Sequence, residues 1–559
     1  MTESKSFNLF FKATLVALCI IYCIGMRLSL MDVDASQYAL ISKDMFHSGN
    51  FLQIYDRGRD YLDKPPLLFW TACLSFKIFW VHDWAYRLPS VMCLVLGLYS
   101  IYRYTKLFYD ESTAKIAVLI MASCAASYLM THDVRTDTML TGLVMFSIWQ
   151  LAEFNRSLKL KNILRAAVGI GLAMLTKGPI GLIIPVTAFS AEFIYQRQWK
   201  SFFRWQYLVA LVIISIMLVP MSYGLYEQFD LHPEKIEYDI KGISGLRFYY
   251  WTQSFGRITG ESKWNNNPDP FFLVHSFCWS FLPWTAFFIP ALFIEIKNKI
   301  KGFKSKVKTE AITIGGFLLV FLFLSRSNYL LPHYTFPLHT LAAIITANYL
   351  NKNILHADKS RLASINFGVQ IFVMFVLYVG TFLLVDFVFP TNPLLNIPVI
   401  LSLGVFIAIL FSKKISKMYK VLLSMVLPFI TLAFVLNVHF YPNLLDFQIS
   451  SRVAKDLNKI ASDDSKLLIF RNYIGNCALF YSKIPVNEYI DEKTLPDNLI
   501  KGKTYILADS ADTKAIQQVN PNIVIIKKYD AFGVTGLNGK FLNPATRNSA
   551  VEKKVLLYY

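Results

Sequence analysis

The 559-residue chain is short of charge, of cysteine and of the motifs that mark soluble enzymes. Charged residues make up 17%, against about 25% in soluble domains, which argues against an ordinary soluble fold. The seven cysteines are odd in number and show no metal spacing. Cys19, Cys23, Cys93, Cys124 and Cys278 fall in or near apolar stretches, Cys73 in a short apolar segment, and Cys477 alone near the C-terminal end. This pattern supports neither a disulfide framework nor a zinc cluster. The chain has no Walker loop, no dinucleotide fingerprint, no transporter-type internal repeat and no low-complexity tract. No small-x-small cleavage site precedes Asp32, so the first apolar stretch reads as a retained anchor.

Hydrophobicity is what the chain has in quantity: 55% of its residues, in recurring runs of about twenty that fit membrane-spanning helices. The net charge of +19 suggests a polyanion partner at first, but its distribution argues otherwise. Lysine and arginine concentrate in alternate short loops, densest from Lys297 through Lys304 and Lys306 to Lys308, with further groups at Lys352, Lys359 and Arg361 and from Lys413 to Lys420. Alternation of this kind is the positive-inside pattern, and no nucleic-acid partner is expected.

Following the alternation puts the N-terminus inside. Spans fall near 8–30, 87–107, 112–130, 137–153, 163–177, 179–195, 206–226, 271–294, 311–325, 335–350, 364–388, 395–411 and 420–438. That is about thirteen spans and a C-terminal end outside. Pro66–Trp80 is apolar but too short to span, and counting it would invert every later loop. It reads as a helix on the outer surface, with a second over Ala35–His47. The expected fold class is an all-α polytopic membrane protein with a small α/β domain outside the membrane. The membrane domain covers 1–441, with a first outer loop at 31–86 and a long outer loop at 227–270. The α/β domain covers 442–559, with strands over Lys466–Phe470, Ala478–Tyr481, Thr504–Ala508, Asn522–Lys527 and Lys554–Tyr559 and a helix over Ser451–Ile460.

This topology places most of the unusual polar residues on the outer face. They are Asp32 and Asp34; Arg57, Arg59, Asp63 and Lys64; His132 through Asp137; Lys177; and His333-Tyr334. Each has a plain structural alternative: Asp34 as a helix N-cap, Lys177 as a snorkelling turn residue, Arg135 and Asp137 as a pair tying span ends, His333 and Tyr334 as interfacial aromatics. Their shared face favours a site. Clustered cations at a membrane surface neutralise a lipid-linked phosphate, and a nearby carboxylate accepts a proton from an incoming hydroxyl.

The ordered set Asp63-Lys64-Pro65-Pro66, Ala85-Tyr86-Arg87-Leu88-Pro89, Arg135-Thr136-Asp137, Thr176-Lys177-Gly178-Pro179 and Leu331-Pro332-His333-Tyr334 resembles the bacterial lipid A aminoarabinose (4-amino-4-deoxy-L-arabinose) transferases and the wider protein O-mannosyltransferase-like superfamily. The resemblance implies a GT-C fold, thirteen spans, a small periplasmic C-terminal domain and an inverting transfer from a polyprenyl (undecaprenyl) phosphate sugar. By position, Asp32 matches the catalytic base, Lys64 the donor-phosphate lysine, Tyr334 the tyrosine beside the phosphate and Asp137 the aspartate of the Arg-Thr-Asp segment. Asp63 replaces a glutamate with one methylene less reach. Gln253-Ser254-Phe255-Gly256-Arg257 stands where the family has Glu-His-x-x-Arg, which makes Arg257 a phosphate ligand and leaves the histidine absent. Asp34, Asp63, Arg59, Asp137, Lys177 and His333 are supporting candidates for acceptor or metal. A divalent cation is a candidate cofactor with no assigned ligand set.

The expected function is transfer of a sugar to an envelope lipid, glycan or protein acceptor at the outer face of a bacterial inner membrane, with the site and C-terminal domain periplasmic. The competing expectation is a lipid or sugar transporter or flippase without transferase activity.

Overall fold

The computed structural model describes residues 3–559 apart from 263, 304, 306, 307 and 356–360. Lys304, Lys306 and Lys359 of the basic loops lie outside the described residues.

A helix occupies each of the thirteen apolar windows. Six of the described helices are long and apolar enough to cross a membrane on their own: Lys5–Gly25, Asp83–Phe108, Gln206–Asp230, Ser364–Val388, Pro393–Phe411 and Lys417–Leu445. Glu111–Ala122 and Ala125–His132 make a seventh if taken as one span bent by 51°. The window 271–294 is likewise interrupted, into Phe272–Ser280 and Thr285–Gly302. Proline explains the break, because Pro283 supplies no backbone donor.

Burial separates the helices into an outer and an inner set. Leu208, Val212, Ile216 and Val219 form one exposed stripe along Gln206–Leu225, and Phe372, Val376, Val379 and Leu383 another. Apolar side chains exposed at helical spacing suit a hydrocarbon solvent rather than water. The inner set is Thr136–Ser157 and Phe336–Tyr349; every residue of the latter is buried. Thr136–Ser157 packs closely on Asp83–Phe108, where the Cβ missing from Gly142 would lie 1.9 Å from the Cys93 carbonyl oxygen. Gly142→Ala should therefore push the two backbones apart and destabilise the protein by about 1–3 kcal/mol, read as a lower Tm in detergent with helix content unchanged.

Helices Asp34–Ser48 and Leu67–Phe79 stand where the two short helices between the first two long apolar runs were expected, and they pack on each other through Tyr38, Phe69 and Phe76. Buried Arg87, on Asp83–Phe108, donates to the carbonyls of Met26 (3.1 Å), Leu28 (2.5 Å), Ser29 (3.3 Å) and His132 (3.2 Å). The entry to the first loop is thereby pinned to the membrane helices.

The C-terminal region forms a five-stranded sheet in the order Val486–Ile490, Lys466–Phe470, Thr504–Asp509, Glu552–Tyr558, Val524–Ala531. The first three are parallel and the last two antiparallel to their neighbours. One expectation is corrected and one strand is added. The strand expected over Ala478–Tyr481 is a helix, Asn476–Tyr481. Its Ala478 joins the sheet core while Cys477 and Phe480 join the core of the membrane domain, so the segment buries apolar groups in two directions, which a strand facing one core does not. Val486–Ile490 was not expected because Asn487 and Glu488 are poor strand formers; it pairs in parallel at the sheet edge.

Candidate active site

Helix ends set out the site. Asp137 sits in the first turn of Thr136–Ser157, where the positive end of the helix dipole favours a carboxylate, and Lys177 closes Leu160–Lys177, where the negative end favours an ammonium. Gly178 ends that helix at φ 87°, a conformation strained for a side-chain-bearing residue, and donates its N–H to Met174 O. Lys177 and Asp137 form an ion pair, and His333 Nε2 lies 3.7 Å from the other Asp137 oxygen. His333 and Tyr334 stand immediately before the fully buried helix Phe336–Tyr349.

These residues line one cavity with Asp34, Asp63, Lys64, Arg135, Gln253 and Arg257. Its volume of about 200 Å³ is smaller than the ~300–1,000 Å³ of clefts for drug-sized ligands, so it suits a headgroup rather than a whole lipid. Leu140, Ile180, Ile183, Ile184, Phe323 and Leu324 make an apolar wall. Four cationic and three carboxylate side chains line the cavity, an excess of one positive charge.

The polar wall is a connected network. Lys64 pairs with Asp63 at 2.5 Å. The Gln253 amide donates to the Asp63 carbonyl (2.8 Å) and carboxylate, while its oxygen accepts from Arg257 at 2.7 Å. Arg257 also donates to the Tyr334 hydroxyl, and its guanidinium lies over the Tyr329 ring at 5.1 Å. Lys177 lies 4.1 Å from the Tyr334 ring centroid. Arg257 Nε is buried and has no hydrogen-bond partner among the described residues. A buried guanidinium nitrogen without a partner is uncommon and costly.

Charge states follow from these neighbours. Burial alone would raise the Asp63 carboxyl, but Lys64, Gln253 and Arg257 outweigh it and hold it below the usual carboxylate range. Burial would lower Lys64, but Asp63, Tyr38 and Tyr334 outweigh it and hold it above the usual lysine value. Burial keeps the Tyr334 hydroxyl protonated against the pull of Arg257 and Lys64. Burial also pushes His333 well below the ordinary histidine value; Asp137 opposes this and the surrounding cations reinforce it, so the ring is neutral.

The structure brings together Asp34, Asp63, Lys64, Asp137, Lys177, Arg257, His333 and Tyr334. Two expected site residues stand apart. Asp32 is not among the cavity-lining residues: its carboxylate accepts from Ser36 Oγ (2.7 Å), Ser450 Oγ and the Cys477 N–H (3.1 Å). Arg59 lies on the ribbon formed by Tyr55–Asp56 and Arg59–Asp60, lining an adjoining groove. Arg135 does not bond to Asp137; it bridges Asp34 and Asp133. Arg135 thus belongs to the cavity rather than to a helix tie. Gln253 was legible only as the residue in the place of the family's glutamate, Tyr38 only as part of one face of the Ala35–His47 helix, and Tyr329 had no signal beyond its aromaticity.

Among the described residues no three His, Cys, Asp or Glu side chains come together as a metal would require. The cavity carboxylates each face a cation instead. These residues do not fit a divalent cation, and the chemistry below uses none.

Comparison with known proteins gives four likenesses. The family model for dolichyl-phosphate-mannose-protein mannosyltransferase matches residues 63–223. An uncharacterized protein of Aquifex aeolicus is 25% identical over 374 residues, 66% of this chain and 69% of that protein. The undecaprenyl phosphate-alpha-4-amino-4-deoxy-L-arabinose arabinosyl transferase of Edwardsiella ictaluri is 24% identical over 331 residues, 58% of this chain. The match spans little more than half of that enzyme, 56%. Among solved structures, ArnT from Cupriavidus metallidurans bound to undecaprenyl phosphate superposes with a TM-score of 0.72 at 17% identity, covering 99% of this chain and 98% of that one. The chain carries the GT-C glycosyltransferase fold of that structure and resembles the aminoarabinose transferases and the wider protein mannosyltransferase superfamily.

Proposed function

We propose that the protein is an inverting glycosyltransferase that moves a sugar from a polyprenyl phosphate to an envelope acceptor at the outer face of the bacterial inner membrane. The carrying observation is the convergence of Lys64, Lys177, Arg257 and Tyr334 on one cavity that also has an apolar wall. The donor phosphate sits against these groups, and its prenyl chain runs along the apolar wall. Lys64, Arg257 and the Tyr334 hydroxyl stabilise the charge on the departing phosphate.

Asp34 takes the acceptor side. Arg135 holds its Oδ2, and Oδ1 has no hydrogen-bond partner among the described residues. A hydroxyl acceptor attacks the anomeric carbon opposite the phosphate and gives its proton to Asp34. One C–O bond forms as the other breaks, and the bonding pair leaves on the phosphate. With a phosphate acceptor, Asp34 only orients. The thirteen-span topology, with the site and C-terminal region outside, belongs to the same proposal; it rests on the loop charges.

The test is purified protein in nanodiscs supplied with polyprenyl-phosphate sugars, measuring release of polyprenyl phosphate. Mass spectrometry of envelope lipids, glycans and proteins with and without the active chain then identifies sugar and acceptor. Donor binding without release from any donor would favour a transporter. Tyr334→Phe removes one hydrogen bond to a charged partner, worth about 1.5–3 kcal/mol, so kcat should fall about ten- to hundredfold with the protein still folded.

A further inference from the structure

The segment joining the first membrane helix to Asp34 is held from two sides. Arg87 grips its start through the carbonyls of Met26, Leu28 and Ser29. Its end is gripped by residues more than four hundred positions away. Gln448 donates to Leu30 O at 2.9 Å and accepts from the Asp32 N–H at 2.9 Å. The Tyr481 hydroxyl accepts from the Leu30 N–H at 2.7 Å. Both Asp32 carboxylate oxygens are engaged, one by Ser450 and the other by the Cys477 N–H and Ser36. Gly475 presses against the same carboxylate so closely that an added Cβ would lie 2.1 Å from Asp32 Oδ2. Asp34 begins its helix two residues later.

Resting on the reading above, we propose that the C-terminal domain completes the transferase site by bracing the Leu30–Asp32 segment, and that Asp32, Gln448 and Ser450 are positioning residues for the acceptor-side carboxylate Asp34. No atom of the C-terminal domain needs to reach the cavity for this. An aspartate at position 32 suits the task because its two oxygens accept three donors from different elements at once. A free loop would let Asp34 sample orientations away from the acceptor, and small misplacements of a reacting group lower rate steeply. The donor phosphate, held by Lys64, Arg257 and Tyr334 on other elements, is untouched by such a shift. The brace therefore acts on turnover and not on donor affinity.

The experiment uses the full chain in nanodiscs and compares Gln448→Leu, Ser450→Ala and Ser450→Thr with the parent for kcat, donor KM, polyprenyl-phosphate affinity and Tm. The expected result is at least a tenfold loss of kcat in Gln448→Leu and Ser450→Ala, with donor KM and polyprenyl-phosphate affinity within twofold. Ser450→Thr, which keeps the hydroxyl, restores most of the rate. Should Gln448→Leu fold poorly, Gly475→Ala displaces the Asp32 carboxylate while keeping every hydrogen-bonding group, and should show the same selective loss. Folded variants with kcat within twofold of the parent would overturn the brace, as would losses confined to donor affinity. Asp34→Asn run alongside separates the two ideas. If it abolishes transfer while the brace variants do not, only the brace fails; if it is fully active, the assignment of Asp34 itself fails.

Discussion

Lys64→Met is expected to slow sugar transfer by about 10²–10³-fold, the loss typical of removing one group that stabilises a developing anion. Lys64 lines the cavity and remains charged under the influence of Asp63. The single substitution also takes the cation from Asp63; the pair is only partly buried and Gln253 still donates to the carboxylate, so the cost falls below the ~3–5 kcal/mol of a fully buried pair. A drop in Tm is therefore expected beside the loss of rate. Asp63→Asn with Lys64→Met removes that confusion, because the pair goes as a unit. The double variant should regain most of the stability and none of the rate. Recovery of transfer in it would show that Lys64 serves folding and not the phosphate. Gln253, which bonds to both Asp63 and Arg257, couples the two cations, so Lys64 and Arg257 variants should combine less than additively.

The second large effect is expected at Asp34. Asp34→Asn keeps the shape of the side chain and leaves Arg135 its 2.8 Å pair with Asp133, so the fold should hold. For a hydroxyl acceptor the rate should fall about 10²–10⁴-fold, the usual contribution of a positioned general base. For a phosphate acceptor, already ionised, the loss should be much smaller. The size of the effect thus reports acceptor chemistry as well as the residue's role. Asp32→Asn should cost less than Asp34→Asn, since Asp32 points to Ser450 and Cys477 rather than into the cavity. The reverse order, measured as kcat with both proteins folded, would return the base to Asp32.

The comparison of these two aspartates shows what the sequence could carry. Long apolar runs set helix positions reliably, because burial in hydrocarbon forces the backbone to satisfy itself, and a helix fills every expected window. The short helices Asp34–Ser48 and Leu67–Phe79 were legible from the length and spacing of their apolar residues. The cationic cluster was legible because the loop charges assign its members to one expected face, and they do line one cavity. The engagement of Asp32, on which the proposed choice of Asp34 rests, was not, because it depends on Gln448, Ser450 and Cys477, which approach from the far end of the chain. Local spacing carries no record of such contacts. The partners of Arg135 were not legible either: proximity in sequence allowed a pair with Asp137, but Asp137 pairs with Lys177 and Arg135 with Asp34. The strand Val486–Ile490 was missed because its pairing partner, not its composition, makes it a strand.

The lone surplus positive charge of the cavity bears on what happens after the bond is broken. A sugar-bearing lipid phosphate is a diester with one negative charge, which that surplus balances. Once the sugar departs, the remaining monoester carries about −1.5 to −2. On the proposed reading, the same walls then grip the spent carrier more tightly than the loaded one. Its escape into the bilayer, rather than the chemistry, would set the pace of the cycle, and accumulated carrier would throttle the enzyme from within its own membrane.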